Sequence, residues 1–338
     1  GMFRQLGIYT SVGQQYVPHD HEQIMYYKED KKGVILEEGI NEAGAMSAWL
    51  ALATSYSTNS YPMVPFYIFY SMFGFQRIGD LAWAAGDSQA RGFLIGATAG
   101  RTTLNGEGLQ HQDGHSLILA NTIPNCKSYD ATFSYELAVI VQSGLKCMFE
   151  EKQNYFYYLT TMNENYVQPA MPEGVEEGII KGMYPLKRAQ SPSDKGNQDN
   201  KVTLMGAGTI LNEVVAAAGI LKESYDVTAD IWSLTSVNEL VRDGQAVDRW
   251  NLLHPTETRR KGYVETQLEG ISEPVVIATD YMKAYGEQLR RYIDSPLHVL
   301  GTDGFGRSDT REALRRFFEV DTGHVVVAVL HALAREGT

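Results

Sequence analysis

Residues 101–116 concentrate side chains that can transfer protons or hold a ligand. Their sequence is Arg-Thr-Thr-Leu-Asn-Gly-Glu-Gly-Leu-Gln-His-Gln-Asp-Gly-His-Ser, in which Glu107, His111, Asp113 and His115 carry acid or base groups. So little apolar surface gives the segment little to gain from burial, and its glycines permit tight turns and close approach of a ligand. The sequence therefore predicts either a solvated surface loop or a loop that carries acid–base chemistry.

The flanking segments favour the chemical interpretation of this loop. Residues 92–99 have the continuous apolar character of a buried strand, and residues 117–123 are apolar again. Polar loops that follow buried strands are where α/β proteins commonly place their functional groups. We therefore expect residues 101–116 to form part of a site.

A single carboxylate lies near the start of a predicted helix that is rich in alanine and glycine. The helix is predicted over residues 38–54, and Glu42 lies in its first turns beside Ala43, Gly44 and Ala45. These small neighbours allow another molecule to pack closely, so Glu42 is either an exposed side chain or a buried carboxylate at an interface. A buried carboxylate needs a partner or a proton to offset desolvation, which would make Glu42 a candidate proton donor.

An aromatic segment lies between these two candidates. Residues 66–77 contain four Phe and two Tyr. Such rings can wall a flat heteroaromatic ligand, and they can equally form ordinary core. The segment taken alone favours core.

Composition excludes several classes of partner. The formal net charge is −12, so we expect no nucleic acid and no anionic membrane surface as a partner. Cys126 and Cys147 lie in no metal-binding or redox motif, which favours two reduced thiols. No signal pattern and no apolar run of membrane-spanning length occurs, which predicts a cytoplasmic protein.

The order of strand and helix patterns predicts an α/β fold. Buried strands are predicted at residues 63–70, 92–99, 155–161, 178–186, 202–206, 230–233, 275–278 and 298–301. Helices are predicted at residues 38–54, 73–84, 129–147, 210–224, 311–318 and 325–335. Repeated strand–helix units with near-continuous apolar strands imply parallel sheets covered on both faces. A shift to Pro-rich, acidic composition near residues 168–173 divides the chain into domains 1–172 and 173–338, and residues 188–200 predict a solvated hairpin loop.

Two further motifs have structural alternatives. Residues 202–209 place a Gly-Ala-Gly after a strand, but Leu211 replaces the third glycine of a dinucleotide fingerprint, so a tight strand-to-helix turn is favoured. Residues 301–309 include Asp303, Arg307 and Asp309. They form either a site or a structural turn at an interface, and the turn is favoured.

The helix with its glutamate, the aromatic segment and the glycine-rich loop occur in an order that resembles the pyrimidine-binding domain of transketolase-like thiamine diphosphate enzymes. Four longer runs are similar to the homodimeric bacterial pyruvate dehydrogenases, at residues 67–81, 100–111, 163–174 and 301–309. The resemblance covers essentially the whole chain. It implies two three-layer α/β domains, a pyrimidine-binding thiamine diphosphate-type domain followed by a transketolase C-terminal-like domain.

The resemblance also implies roles for individual residues. Glu42 matches the glutamate that hydrogen-bonds N1′ of the cofactor pyrimidine, and Ile40, Tyr70 and Phe73 match neighbours of the cofactor. Glu42, Tyr70, Glu107 and His111 match catalytic positions, with Glu107 and His111 as the acid–base pair of the loop. Asp113 and His115 are weaker candidates in the same loop, and residues 163–165 follow the family run.

The implied chemistry is the thiamine diphosphate-dependent oxidative decarboxylation of pyruvate by a homodimer. The acetyl unit passes to the lipoyl domain of dihydrolipoyl acetyltransferase. The family holds Mg²⁺ and the diphosphate with a Gly-Asp-Gly motif, which does not occur in these 338 residues. The chain therefore resembles the middle and C-terminal domains of a longer enzyme, with no metal ligand expected in it. Three alternatives remain, a non-catalytic dimerising fragment, a β-like subunit with half of the cofactor site, and a transketolase acting on sugar phosphates.

Overall fold

The computed structural model describes residues 5–19, 21, 27–105, 108–189 and 200–336. The chain divides into two compact units, Gly1–Ala45 and Met46–Thr338. In the first unit, β1 (Ile8–Tyr9) and β2 (Glu29–Asp30) form a short parallel pair. Helix α1 (Glu42–Ala53) begins in this unit, and the carboxamide oxygen of Asn41 accepts a hydrogen bond from the Gly44 N–H at 3.1 Å.

The first half of the larger unit forms a four-stranded sheet in which every neighbouring pair is parallel, with strand order β3-β4-β6-β5. Its elements in chain order are α2 (Ser55–Thr58), β3 (Phe66–Phe69), α3 (Ser71–Asp87), β4 (Phe93–Ala97), α4 (Ser116–Asn121), β5 (Cys126–Asp130), α5 (Ser134–Leu145) and β6 (Phe156–Thr161). A 3₁₀ turn at Leu109–His111 precedes α4, and a π turn at Lys146–Glu150 follows α5. The central strand β6 is buried over Phe156–Thr160, as expected for a parallel sheet covered on both faces.

The second half forms a five-stranded sheet of order β11-β10-β8-β9-β7, in which only β7 runs antiparallel to its neighbour. Its strands are β7 (Met183–Lys187), β8 (Lys201–Ala207), β9 (Thr228–Leu234), β10 (Val275–Ala278) and β11 (Leu297–Leu300). Its helices are α6 (Glu176–Lys181), α7 (Leu211–Tyr225), α8 (Val237–Leu253), α9 (Tyr263–Gln267), α10 (Lys283–Glu287), α11 (Arg311–Phe317) and α12 (Thr322–Glu336), with 3₁₀ turns at Gly208–Ile210 and Gln288–Tyr292. The Gly208 turn confirms a tight strand-to-helix connection in place of a dinucleotide fingerprint.

Side chains from both sheets share one hydrophobic core. Leu94 and Phe156 of the first sheet belong to the same buried cluster as Met205, Trp232 and Ile277 of the second. The α/β prediction is thus confirmed, and both sheets lie in one compact unit. The domain boundary at residue 172 stays a prediction.

Three predictions of local structure were wrong in part. The strand predicted at 63–70 is shorter and lies at the sheet edge, where Phe66 and Ile68 are 47% and 51% exposed, because apolar composition does not reveal whether a face is covered. The helix predicted at 129–147 begins only at Ser134, since Tyr129 and Asp130 end the buried strand β5. Of the strand predicted at 178–186, residues 178–181 belong to helix α6, which ends at the left-handed Gly182, and the strand begins only at Met183. Of the predicted hairpin loop at 188–200, residues 190–199 lie outside the described residues.

One described stretch, Arg311–Arg335, is long and apolar enough by composition to cross a membrane. In the structure it comprises α11 and most of α12, separated by a turn at residues 318–321. Val325 and Val329 are fully buried in the cluster formed with β8 and β10. Several of its apolar side chains are thus part of the protein core, whereas Phe317 and Val327 are exposed.

Candidate functional site

Three aromatic side chains from separate parts of the sequence meet at one edge of the first sheet. Tyr70 follows β3, Phe73 lies in the first turn of α3, and His111 ends the 3₁₀ turn after β4. The ring centroid of His111 lies 4.9 Å from that of Tyr70 and 5.0 Å from that of Phe73, with both pairs edge-to-face. The structure therefore brings the aromatic segment and the polar loop together.

This aromatic cluster of Tyr70, Phe73 and His111 is open to solvent. Tyr70 is 45% exposed, and Phe73 and His111 are partly exposed. The guanidinium of Arg77 lies 4.4 Å from the Phe73 ring centroid, one helical turn further along α3. The cluster offers ring faces and edges, an imidazole and a nearby cation to a ligand.

The polar loop is anchored at its beginning by the buried carboxylate of Asp280, which lies two residues after strand β10 of the second sheet. The N–H and hydroxyl of Thr102 donate to Oδ1 of Asp280 at 2.8 and 2.6 Å. The N–H and hydroxyl of Thr103 donate to Oδ2 at 3.0 and 2.7 Å. Burial raises the pKa of Asp280, and the bonds from Thr102 and Thr103 oppose that rise.

The end of the loop is anchored by residues of the second half and by a bond within the loop itself. The Met282 N–H donates to the Gly114 carbonyl at 2.8 Å. The Gln112 side chain donates to the Leu104 carbonyl at 3.0 Å and accepts from the Arg307 N–H at 2.7 Å. The loop is thus fixed on both sides of His111.

Asp113 has a structural position in the loop. It is fully buried, and its Oδ1 accepts hydrogen bonds from the N–H groups of His115 and Ser116 at 3.0 and 2.9 Å, while its Oδ2 accepts from the Ser116 hydroxyl. The bond from Ser116 satisfies the first N–H group of helix α4, and the bond from His115 fixes the turn that precedes the helix. Asp113, a weaker acid–base candidate, therefore acts as a cap, and His115 lies beside it with Nδ1 4.0 Å from Oδ1.

Two more buried carboxylates lie where the sheets meet. The Thr160 hydroxyl donates to Oδ1 of Asp130 at 2.7 Å, while Oδ2 has no hydrogen-bond partner and faces Gly208. Burial raises the pKa of Asp130 to about 8. Glu136 is also fully buried, but it accepts four hydrogen bonds, from the N–H groups of Thr132 and Phe133 and from the hydroxyls of Tyr184 and Ser233. Asp130 therefore has fewer hydrogen-bond donors around its carboxyl group than Glu136.

Glu42 and Ile40 belong to the unit Gly1–Ala45, and Tyr70, Phe73 and His111 belong to the unit Met46–Thr338. Glu42 is half-buried in the first turn of α1, where the helix dipole favours a carboxylate. Ile40 is 99% exposed. Glu107 lies outside the described residues, so its predicted role stays a prediction.

The family runs at 163–165 and 301–309 carry structural contacts. Arg311 donates to the Thr103 carbonyl at 2.6 Å and to Asn163 Oδ1 at 3.0 Å, and the buried Arg315 pairs with Glu164. Asp303 accepts from the Lys283 N–H at 2.9 Å. The bond to Asp303 favours the structural turn for residues 301–309. Within the described ranges, no group of three or more His, Cys, Asp or Glu side chains could hold a metal ion.

Sequence reasoning missed Asp280, Gln112 and Arg311 as supports of the loop. Asp280 lies two residues after the continuous apolar strand β10, and Thr102 and Thr103 follow β4. Polar residues just beyond the carboxyl ends of parallel strands were an available signal. Their pairing depends on how the sheets dock, which sequence patterns do not specify.

Comparison with known proteins agrees with this organisation. The family model described as the pyruvate dehydrogenase E1 component middle domain matches residues 1–169. The model of the transketolase-like C-terminal domain matches residues 182–321.

Curated relatives match the whole chain. The pyruvate dehydrogenase E1 component of Pseudomonas aeruginosa is 64% identical over 338 residues, which is 100% of this chain and 38% of that protein. The protein of the same name from Escherichia coli is 61% identical over 339 residues, 100% of this chain and 37% of that protein. The chain thus spans a little more than a third of the curated relatives it matches.

Solved structures share the fold at low sequence identity. Transketolase from Leishmania mexicana matches with a TM-score of 0.66 and 18% identity, over 90% of this chain and 38% of that one. A split-gene transketolase, described as an inactive beta4 tetramer, matches with a TM-score of 0.61 and 15% identity, over 97% of this chain and 91% of that one. The two-sheet architecture is therefore transketolase-like, and the matched middle domain shows that the chain belongs to the pyruvate dehydrogenase E1 family.

Proposed function

We propose that these residues form part of a pyruvate dehydrogenase that decarboxylates pyruvate with thiamine diphosphate and passes the acetyl unit to the lipoyl domain of dihydrolipoyl acetyltransferase. The meeting of His111 with Tyr70 and Phe73 carries the proposal, because it joins a titratable group to an aromatic wall in a chain of this family. The relatives' name supports pyruvate as the substrate. We refer to a polypeptide of the relatives' length that contains these 338 residues as the full-length enzyme.

The side chains present fit the ring portion of thiamine diphosphate. Tyr70 and Phe73 present partly exposed aromatic surface, which suits contact with a flat pyrimidine. Glu42 is a half-buried carboxylate, which suits a hydrogen bond to a ring nitrogen. The Gly-Asp-Gly motif that would anchor Mg²⁺ and the diphosphate is absent from these residues, so we assign that anchor to another part of the full-length enzyme.

The bound cofactor supplies a carbon nucleophile and an electron sink for decarboxylation of a 2-oxo acid. In this proposal Glu42 holds a proton at the pyrimidine N1′. His111 donates a hydrogen bond to the carboxylate or to a developing oxyanion of the substrate, and Glu107 is its partner in acid–base transfer. Tyr70 and Phe73 present their rings beside His111.

We also propose that the full-length enzyme is a homodimer in the cytoplasm. The edge strand β3 leaves Phe66 and Ile68 about half exposed, and an exposed apolar sheet edge is typical of a surface that a partner covers. Sedimentation of the full-length enzyme tests the dimer: Ile68→Lys is expected to yield monomer, and Val167→Lys, at an exposed valine outside the sheet, is expected to leave the dimer intact. Cell fractionation tests the location.

A substrate comparison tests the activity and the transketolase alternative together. The full-length enzyme, loaded with thiamine diphosphate and Mg²⁺, is offered either pyruvate with a lipoyl domain or a ketose phosphate with an aldose phosphate acceptor. Carbon dioxide release and lipoyl acetylation measure the first reaction, and formation of the product sugar phosphates measures the second. Turnover of pyruvate alone supports the proposal. Turnover of the ketose phosphate alone would establish the transketolase alternative, which the 15–18% identity to solved transketolases does not favour.

A further inference from the structure

We propose that Asp280 is a positioning residue that fixes the loop bearing His111, so that the second half of the chain sets the geometry of the site. This inference rests on the proposed function of His111. Asp280 lies in the second half, in the segment that follows β10, and its side chain accepts hydrogen bonds from Thr102 and Thr103 at the beginning of the loop. Its action on the reaction would therefore pass through the loop.

Both carboxylate oxygens of Asp280 accept hydrogen bonds from the beginning of the loop. Each oxygen accepts one backbone N–H and one hydroxyl, at distances between 2.6 and 3.0 Å. The Asp280 carbonyl also accepts the Arg101 N–H at 3.3 Å. A carboxylate is the side chain that offers only acceptors at both positions.

The close fit at this contact is visible at Gly100. Its φ of +96° lies in the region that favours glycine, and a Cβ built on it would lie 2.3 Å from Asp280 Oδ2. The backbone of the loop thus comes as near to the carboxylate as the absence of a side chain allows. A displacement of either the Gly100 backbone or the Asp280 carboxylate would therefore require the other to move.

The same segment also holds the end of the loop. Met282, two residues after Asp280, donates its N–H to the Gly114 carbonyl at 2.8 Å. Residues 280–282 therefore contact the loop before and after His111, at Thr102 and Thr103 and at Gly114. A displacement of about 1 Å in a group near reacting atoms can cost about 10²-fold in rate, so fixing the loop on both sides of His111 has a direct kinetic consequence.

Glu136 provides a matched control for a loss of stability. Like Asp280, it is fully buried, accepts four hydrogen bonds and bridges the two sheets, through Tyr184 of β7 and Ser233 of β9. None of these four bonds involves the loop. Asp280→Asn and Glu136→Gln thus replace the same kind of buried carboxyl group with an amide, and only the first disturbs the His111 loop.

The test is a double-mutant cycle in the full-length enzyme, with pyruvate turnover and thermal unfolding measured for Asp280→Asn, Glu136→Gln, His111→Ala and the Asp280→Asn/His111→Ala pair. We expect Asp280→Asn to lower kcat by ~10-fold or more, and Glu136→Gln to lower it less than ~3-fold at a comparable loss of thermal stability. In the His111→Ala background, Asp280→Asn should cost less than ~3-fold more, because its effect passes through His111. Equal losses for both buried carboxylates, or an additive effect of Asp280→Asn, would overturn the inference.

Hydrogen exchange supplies a readout that is independent of turnover. Asp280→Asn should accelerate amide exchange in peptides spanning residues 101–115, and Glu136→Gln should not. If Asp280→Asn does not fold, Thr102→Val replaces it, since this nearly isosteric change removes only the hydroxyl bond to Asp280 and should still accelerate exchange there. Unchanged exchange in the folded variant would refute the positioning role. Wild-type turnover of His111→Ala would instead refute the proposed function, whatever the exchange results.

Discussion

The imidazole ring of His111 lies edge-on to the phenol ring of Tyr70, with centroids 4.9 Å apart and planes inclined by 65°. The two residues are distant in sequence, but they follow the neighbouring parallel strands β3 and β4. The carboxyl ends of parallel strands meet at one edge of a sheet, which is where open α/β sheets bind their ligands. The contact is therefore a consequence of the topology.

Phe73 is predicted to contribute to cofactor affinity through its ring. In the full-length enzyme, Phe73→Ala should weaken thiamine diphosphate binding by about 5–10-fold, because an aromatic contact is worth about 1 kcal/mol. Fluorescence or calorimetric titration at saturating Mg²⁺ measures the dissociation constant. Phe317→Ala is the control, since Phe317 also carries a guanidinium over its ring, that of Arg307 at 4.8 Å, on helix α11. Equal affinities in the two variants would remove Phe73 from the cofactor site.

Glu42→Gln keeps the size and hydrogen-bonding capacity of the side chain but removes its ability to hold a proton at N1′ of the cofactor. We predict that kcat of the full-length enzyme falls by ~10²-fold or more, the scale of general acid–base catalysis, while thermal unfolding is unchanged. The nearby exposed Glu38 provides the control in Glu38→Gln. If both variants turned over pyruvate at the wild-type rate, Glu42 would have no part in the chemistry.

The 338-residue chain by itself is predicted to bind thiamine diphosphate weakly or not at all. The charged contacts to the diphosphate and Mg²⁺ supply much of such affinity, and the Gly-Asp-Gly motif that would make them is absent. Calorimetric titration of the chain with Mg²⁺ and cofactor measures this, with the full-length enzyme as the positive control. Tight binding by the chain would contradict the division of the cofactor site between two parts of the enzyme.

Asp130 is predicted to make stability depend on pH. Its pKa is raised to about 8 by burial, whereas an unfolded aspartate titrates near 3.9. Between these two pKa values the folded state keeps a proton that the unfolded state releases. The contribution of Asp130 to the free energy of unfolding is therefore complete below pH ~4 and is lost as pH rises through 8. The loss is up to about 1.4 kcal/mol per pH unit. Asp130→Asn mimics the protonated acid and should be more stable relative to wild type at pH 8 than at pH 6.

Urea denaturation at several pH values measures the Asp130 effect. Asp226→Asn is the control, because Asp226 is exposed and its left-handed backbone accepts asparagine. The stability of that variant should follow wild type at every pH. A difference between Asp130→Asn and wild type that does not change with pH would show that Asp130 does not titrate in this range.

Strand β8 and strand β10 could be predicted because their side chains are almost continuously apolar, as buried parallel strands require. Helix α8 was not predicted, although Ser236 accepts a hydrogen bond from the Glu239 N–H at 3.0 Å and the pair is a capping-box signal. Helix α8 is rich in charged and polar residues, so a search for apolar periodicity does not find it. A helix start signal was therefore more informative there than composition.

The chemical groups of the site were easier to predict than their supports. His111, Tyr70 and Phe73 were singled out by their types and by a resemblance, and the structure brings them together. The hydrogen bonds from Thr102 and Thr103 to Asp280 join the segment after β4 of the first sheet to the segment after β10 of the second. Such a contact depends on how the sheets dock, and hydrophobic periodicity within one element carries no information about docking.

The most direct test of the account is the turnover of pyruvate by the full-length enzyme carrying His111→Ala. If the loop is catalytic, kcat and acetyl transfer to lipoyl groups should fall by ~10²-fold or more, while the free energy of unfolding changes by less than ~0.5 kcal/mol. Gln110→Ala, at the exposed neighbouring position, should retain the wild-type rate. Wild-type decarboxylation and acetyl transfer by the His111→Ala enzyme would contradict the account and leave residues 101–116 as a structural loop.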